Sequence, residues 1–348
     1  MGYWMSNSAF DEWLEHLWQE GEVFGPTRFE NKGAFSDTTL YSYGLIHSRN
    51  DLVLDHKTYL SPKAAAFPIR ETLFYFDGDS ATTPEMSERP IYVFLRACDI
   101  NGFDRLDNIF LHNGPHVDPY YANRRNRLRF LLIECTDHGF KNCFCVSMGT
   151  NITNKWHAVV RLADNGIVMQ VNNDLAGEED IINELTNGLT LFAQEIDEFM
   201  PVFVTKNLTQ VSIPSTEKLN NSIFDHPVWN EYTQRCIGCG RCNTSCITCS
   251  CFTMQDIRYD ERRGERRRRW ASCHIKGYTD MAGGDGYRSK TGERMRFKTM
   301  HKINDYYKRF GTHMCVGCGR CDDVCPEYIS FSKCINRLTD IIAEKEGK

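Results

Sequence analysis

Two eleven-residue segments, CIGCGRCNTSC at 236–246 and CVGCGRCDDVC at 315–325, each gather four thiols into one short loop in a CxxCxxCxxxC pattern. Four thiolates that close in sequence call for a metal or a metal cluster to collect them. A 4Fe-4S cubane needs four converging thiolates, and a CxxCxxC loop wraps three of them around one cluster while its backbone amides face the sulfides. The glycines permit the tight turns. The fourth cysteine points away from its own loop, and in two-cluster ferredoxins it ligates the other cluster. On that scheme Cys236, Cys239, Cys242 and Cys325 hold one 4Fe-4S cluster, while Cys315, Cys318, Cys321 and Cys246 hold a second. Pro326 completes the second ladder; the first has Ile247 at that place.

Two other chemistries fit the thiols less well. Four-cysteine zinc sites normally use two separated CxxC pairs. CNTSCITC at 242–249 also spells the CxxxCxxC of radical-SAM enzymes, but it lies far along the chain and shares two of its three cysteines with the first ladder. Cys249, Cys251, Cys273 and Cys334 are left over, as packing thiols or alternative ligands. A further group, Cys98, Cys135, Cys143 and Cys145, comprises every cysteine of the first 222 residues. PIYVFLRACDI and LRFLLIEC are short β-rich runs with a cysteine at or near their ends. If they are neighbouring strands, both thiols emerge at the sheet edge where α/β proteins place their sites. Four ordinary buried thiols explain the same residues equally well.

The elements that must position these groups follow from periodicity. AFDEWLEHLWQEG at 9–21 places Phe10, Trp13, Leu14, Leu17 and Trp18 at helical spacing. EEDIINELTNGLTLFAQEIDEFM at 178–200 reads as one helix, and FSKCINRLTDIIAEKEGK closes the chain as another. A polar, Pro-containing stretch at 205–227 marks a linker. The expected architecture is therefore an α/β N-terminal domain, residues 1–222, followed by a two-cluster ferredoxin-like α+β domain, residues 223–348, with a 68-residue insertion between the ladders. Twelve of sixteen cysteines lie in the C-terminal part, which carries +8 against −13 for residues 1–225. Clustered thiols without a secretory leader point to a reducing cytoplasm. No apolar stretch approaches the ~20 residues of a membrane helix.

Several segments in order resemble the A subunit family of anaerobic sulfite reductases, which is related to the β subunits of sulfhydrogenase-type nickel–iron hydrogenases. They are ETLFYFD at 71–77, RACDI at 96–100, CFCVSMGTN at 143–151, RRWASC at 268–273, DMAGGDGYR at 280–288 and HMCVGCGRCDDVCP at 313–326. The resemblance implies an electron-transfer subunit, not catalytic alone, between an NADH-oxidising FAD subunit and a sirohaem subunit that reduces sulfite to sulfide. A hydrogenase β subunit is the alternative. It also implies a third 4Fe-4S cluster on Cys98, Cys135, Cys143 and Cys145. AGGDG lacks the GxGxxG spacing of a dinucleotide fingerprint, so flavin belongs to a partner.

DERRGERRRRW at 260–270 is expected to be a solvated helix face or a docking surface for an acidic partner. The modest basic field of the C-terminal part does not support nucleic-acid binding. His112, His116, His138 and His274 have no ligand-like spacing. Asp99, beside Cys98, would accept hydrogen bonds near the site or cap a strand end.

Overall fold

The apolar runs ending at Leu95 and Ile133 form neighbouring strands in the larger of two sheets. The computed structural model describes residues 1–135, 137–284 and 286–347, so Thr136, Lys348 and Asp285 of the 280–288 segment lie outside the described residues. In chain order the strands are β1 (Gly2–Ser6), β2 (Glu22–Phe29), β3 (Leu40–Leu45), β4 (Arg70–Asp77), β5 (Ser80–Thr82), β6 (Ile91–Leu95), β7 (Leu128–Ile133), β8 (Ala158–Ala163), β9 (Gly166–Val171), β10 (Gln194–Ile196), β11 (Phe252–Arg258) and β12 (Arg263–Trp270). The larger sheet runs β10-β1-β9-β8-β7-β6-β2-β3. Its centre, β2, β6, β7 and β8, is parallel, and its flanks are antiparallel.

All five residues of β6 are buried, as a central strand covered on both faces requires. Successive side chains alternate between the two faces. Tyr92 and Phe94 pack in one core with Phe10, Trp13, Leu14 and Leu17 of the opening helix Asn7–Glu20. Ile91, Val93 and Leu95 enter the opposite core with Ile100, Phe103 and Leu106 of the helix Ala97–Phe110. Each such side chain contributes about 1.5–3 kcal/mol on burial. Ser6 caps the opening helix, its hydroxyl accepting from the Ala9 N–H at 3.2 Å. A third core joins Trp229, Tyr232, Met295 and Met300 to Ile335, Leu338 and Ile341 of the closing helix Phe331–Lys345.

Two expectations are corrected. The segment 178–200 is not one helix: it is helical over Glu179–Thr190 and then forms β10, whose pairing of Ile196 with Gly2 satisfies the free edge of β1. The arginine-rich segment is not a helix face but β12, paired antiparallel with β11 on one side and β4 on the other. That second sheet, β11-β12-β4-β5, joins strands from both sides of residues 222/223. Ile247, Trp270 and Val316 likewise pack in the core that holds Val93 and Leu95. Residues 197–220 contain neither helix nor strand, whereas the end of the polar stretch at 205–227 holds a short helix, Asn221–Phe224.

Candidate cluster sites

The two ladders adopt the same local fold. Gly238 and Gly240 take φ of 68° and 75°, and Gly317 and Gly319 take 65° and 71°. Each second glycine then opens a single helical turn, Arg241–Thr244 and Arg320–Asp323. The internal repeat in sequence is therefore a repeat in conformation. The backbone N–H groups of Gly238 and Gly317 point at the sulfurs of Cys236 and Cys315, and the Ile329 N–H lies 3.3 Å from Cys325 Sγ. Amides directed at sulfur are what a bound cluster requires of its loop.

Cys236, Cys239, Cys242 and Cys325 line one cavity with an empty volume of about 470 Å³, its solvent-open mouth included. Cys321 of the second ladder, Lys298, His274 and Phe331 line it too. Cys239 is exposed, so this site reaches the surface. His274, which has no ligand-like spacing in sequence, is buried here with Nδ1 3.8 Å from Cys236 Sγ. Burial, helped by Lys298 and Arg294, lowers its pKa to about 3, so the ring is neutral. His112, His116 and His138 are exposed.

Cys315, Cys318, Cys321 and Cys246 lie deeper. Burial pushes the Cys315 thiol up to about 12, with Cys246 and Cys318 adding to the rise against Lys302. Cys318 is raised to about 11 by burial, with Cys246 again a neighbour, and Cys321 is raised by burial with Cys315 and Cys318 beside it. Cys246 is shifted the other way, lowered by a hydrogen bond from Cys249 and by Lys302 beside it. Sulfurs this close together, with Cys315 and Cys318 buried, fit a site completed by cationic iron. Among the described residues no group of three His, Cys, Asp or Glu side chains converges as a single metal ion would need. A cubane differs because each thiolate binds a different iron of the cluster.

The N-terminal group lines a further cavity, also about 470 Å³ in empty volume, where Cys98, Cys135, Cys143 and Cys145 meet Cys318 of the second ladder. Parallel pairing of β6 with β7 brings their ends together. Cys98 sits in the first turn of the helix after β6, Cys135 just beyond β7, and the loop carrying Cys143 and Cys145 folds over both. Arg96 Nη1 donates to Cys135 Sγ at 3.3 Å, and Asn207 Oδ1 lies 3.5 Å from Cys145 Sγ.

This cavity abuts the second ladder. The Phe144 N–H donates to Gly317 O at 2.7 Å, Thr150 Oγ1 to Val316 O at 2.6 Å, and Cys143 Sγ lies 3.5 Å from Cys318 O. Asp99 accepts both ends of the Arg320 guanidinium, at 2.5 and 2.8 Å. Arg320 thus ties the second ladder to the helix that carries Cys98. The equivalent Arg241 is exposed. A Cβ on Gly319 would stand 2.1 Å from Asn142 O, whereas one on Gly240 would meet only side-chain atoms, at 3.0 Å. Both substitutions carry the ~1–2 kcal/mol cost of a left-handed alanine. Gly319→Ala is expected to cost measurably more than Gly240→Ala in anaerobic urea unfolding, because backbone must move; equal costs would count against this packing.

Cys249 and Cys273 are buried near the ladders. Asn243 Nδ2 donates to Cys273 Sγ at 3.0 Å, and Lys63 Nζ donates to the Cys249 carbonyl at 2.9 Å. Cys334 is packed within the third core. Sequence reasoning missed the buried lysines Lys63, Lys298 and Lys302. The spacing of Lys298 and Lys302, four apart on one helical face, was the available signal.

A 4Fe-4S dicluster domain model matches residues 235–329, spanning both ladders. The sulfhydrogenase 2 subunit beta of Pyrococcus furiosus is 28% identical over 343 residues, covering 97% of this chain and 98% of that protein. No solved structure matches significantly. Residues 235–329 thus form a 4Fe-4S dicluster domain, which supports two 4Fe-4S clusters, within a chain similar along nearly its whole length to a sulfhydrogenase beta subunit.

Proposed function

We propose that this chain is the iron–sulfur relay of a multisubunit oxidoreductase of the sulfhydrogenase β type. The placement of three four-cysteine groups in succession carries the reading. The first ladder opens to the surface, Cys321 of the second ladder lines the same cavity, and the N-terminal group hydrogen-bonds to the second. We assign Cys236, Cys239, Cys242 and Cys325 to one cluster, Cys315, Cys318, Cys321 and Cys246 to the next, and Cys98, Cys135, Cys143 and Cys145 to a third. Bound 4Fe-4S clusters supply one-electron carriers at these places. The polypeptide holds them in order and directs amides at sulfur.

The near full-length similarity to a sulfhydrogenase β subunit favours that type of complex over the sulfite reductase expected from the sequence segments. A cytoplasmic sulfite reductase with flavin and sirohaem partners is the second reading, supported by the ordered segments from ETLFYFD to HMCVGCGRCDDVCP. Among the described residues no helix is long and apolar enough to cross a membrane. The division at 222/223 remains a proposal about folding units.

Anaerobic assay of the isolated chain is expected to show electron transfer between dyes but neither sulfite reduction nor hydrogen turnover. Turnover of either substrate by the isolated chain defeats the relay reading. Co-purification separates the two types: nickel in the complex supports the hydrogenase type, and sirohaem supports the sulfite reductase.

A further inference from the structure

Three lysines are almost wholly buried among the thiols, and two of them lie on one continuous helix. That helix runs Thr291–Met300, widens into a π turn at His301–Asp305 and continues through Tyr306–Phe310. Lys302 sits in the π turn and Lys298 one turn earlier; they are 3% and 4% exposed. Single π turns inside α-helices are rare and recur at functional sites.

Lys302 Nζ donates to Thr248 Oγ1 at 2.7 Å and reaches Cys246 Sγ at 3.4 Å. Lys298 hydrogen-bonds the Cys242 side chain, lines the first cavity and stands 4.9 Å from the Phe331 ring centre. The lysines paired with carboxylates among the described residues are Lys57, Lys155 and Lys218, not these two. Burial alone pulls both ammoniums towards neutrality. The groups that face them are sulfurs, Cys242 and Cys321 for Lys298 and Cys246, Cys249 and Cys315 for Lys302. A buried, carboxylate-free ammonium is costly unless a large negative charge faces it.

We propose that Lys298 and Lys302 are fixed counter-charges that raise the reduction potentials of the two ladder clusters, Lys302 acting chiefly on the one held by the second ladder. This rests on the cluster assignment above. Reduction adds one electron, and hence one negative charge, to a cluster. A nearby ammonium in a low-dielectric interior stabilises that charge more than the oxidised state. Both lysines are positioning residues for this charge and bind no substrate.

The test is an anaerobic potentiometric titration followed by electron paramagnetic resonance, with dithionite as reductant and iron counted in each sample. Lys302→Met is expected to lower the reduction equilibrium of the second-ladder cluster roughly tenfold, about 59 mV for one electron. Lys302→Arg is expected to restore it, and the exposed-site control Lys276→Met to leave it unmoved. Lys298→Met should lower the first-ladder potential, and it carries the test if Lys302→Met loses iron. Wild-type potentials in fully loaded Lys302→Met and Lys298→Met would overturn the proposal. Wild-type protein without iron and sulfide would instead overturn the cluster assignment, and this proposal with it.

Discussion

Anaerobically purified protein is expected to contain about twelve irons and twelve acid-labile sulfides per chain, falling to about eight of each in Cys143→Ser/Cys145→Ser. The two ladders account for eight. The remaining four depend on Cys98, Cys135, Cys143 and Cys145, which line one cavity at the ends of two adjacent parallel strands. Serine retains size and polarity but supplies a far weaker ligand, so the loop keeps its place while the site loses two of four thiolates. In the variant the Phe144 N–H and the Thr150 hydroxyl keep their hydrogen bonds to the second ladder, and only the 3.5 Å contact of Cys143 Sγ with the Cys318 carbonyl is altered. The ladder clusters should therefore survive the substitution. About eight irons in both proteins would leave the dicluster pair alone and return the N-terminal cysteines to ordinary thiols.

Asp99→Ala is expected to destabilise the protein by about 3–5 kcal/mol, because it strands the buried Arg320 guanidinium without a counter-charge. Asp99 is fully buried and Arg320 is 4% exposed. Thr58 alone would still accept from Arg320, at 3.2 Å from Nε through its carbonyl and its hydroxyl. Replacing both partners removes the orphaned charge. Asp99→Leu/Arg320→Met should accordingly cost less than the sum of its single substitutions. Anaerobic urea unfolding measures both quantities. A loss below about 1 kcal/mol for Asp99→Ala, typical of exposed pairs, would show that the pair does not fasten the second ladder to the sheet.

The dicluster chemistry was legible because it is local. CxxCxxC spacing and glycines at turn positions fix a loop whatever surrounds it, and both ladders take the same left-handed glycine conformations. The apolar run of β6 and the spacing of Phe10, Trp13, Leu14 and Leu17 were legible for a similar reason, since burial imposes a period of two or 3.6 on the chain itself. The arginine-rich segment was misread because its fate depends on a distant strand. Six arginines are good helix formers in isolation. Pairing with β4, and the carboxylates of Glu71 and Asp118 that receive the buried Arg268, decide for a strand.

The sequence alone determined the two four-cysteine ladders, their repeat and the α/β character of the N-terminal part. Only the tertiary structure decided which cysteines outside the ladders meet, that the insertion hairpin completes a sheet begun near residue 70, and that Arg320 is buried while its repeat mate Arg241 is exposed. It also decided that Lys298 and Lys302 face sulfur, not solvent. The physical reason is the range of the forces involved. Ligand spacing and periodicity are properties of consecutive residues, whereas the charge that a buried side chain faces is set by whatever the rest of the fold packs against it.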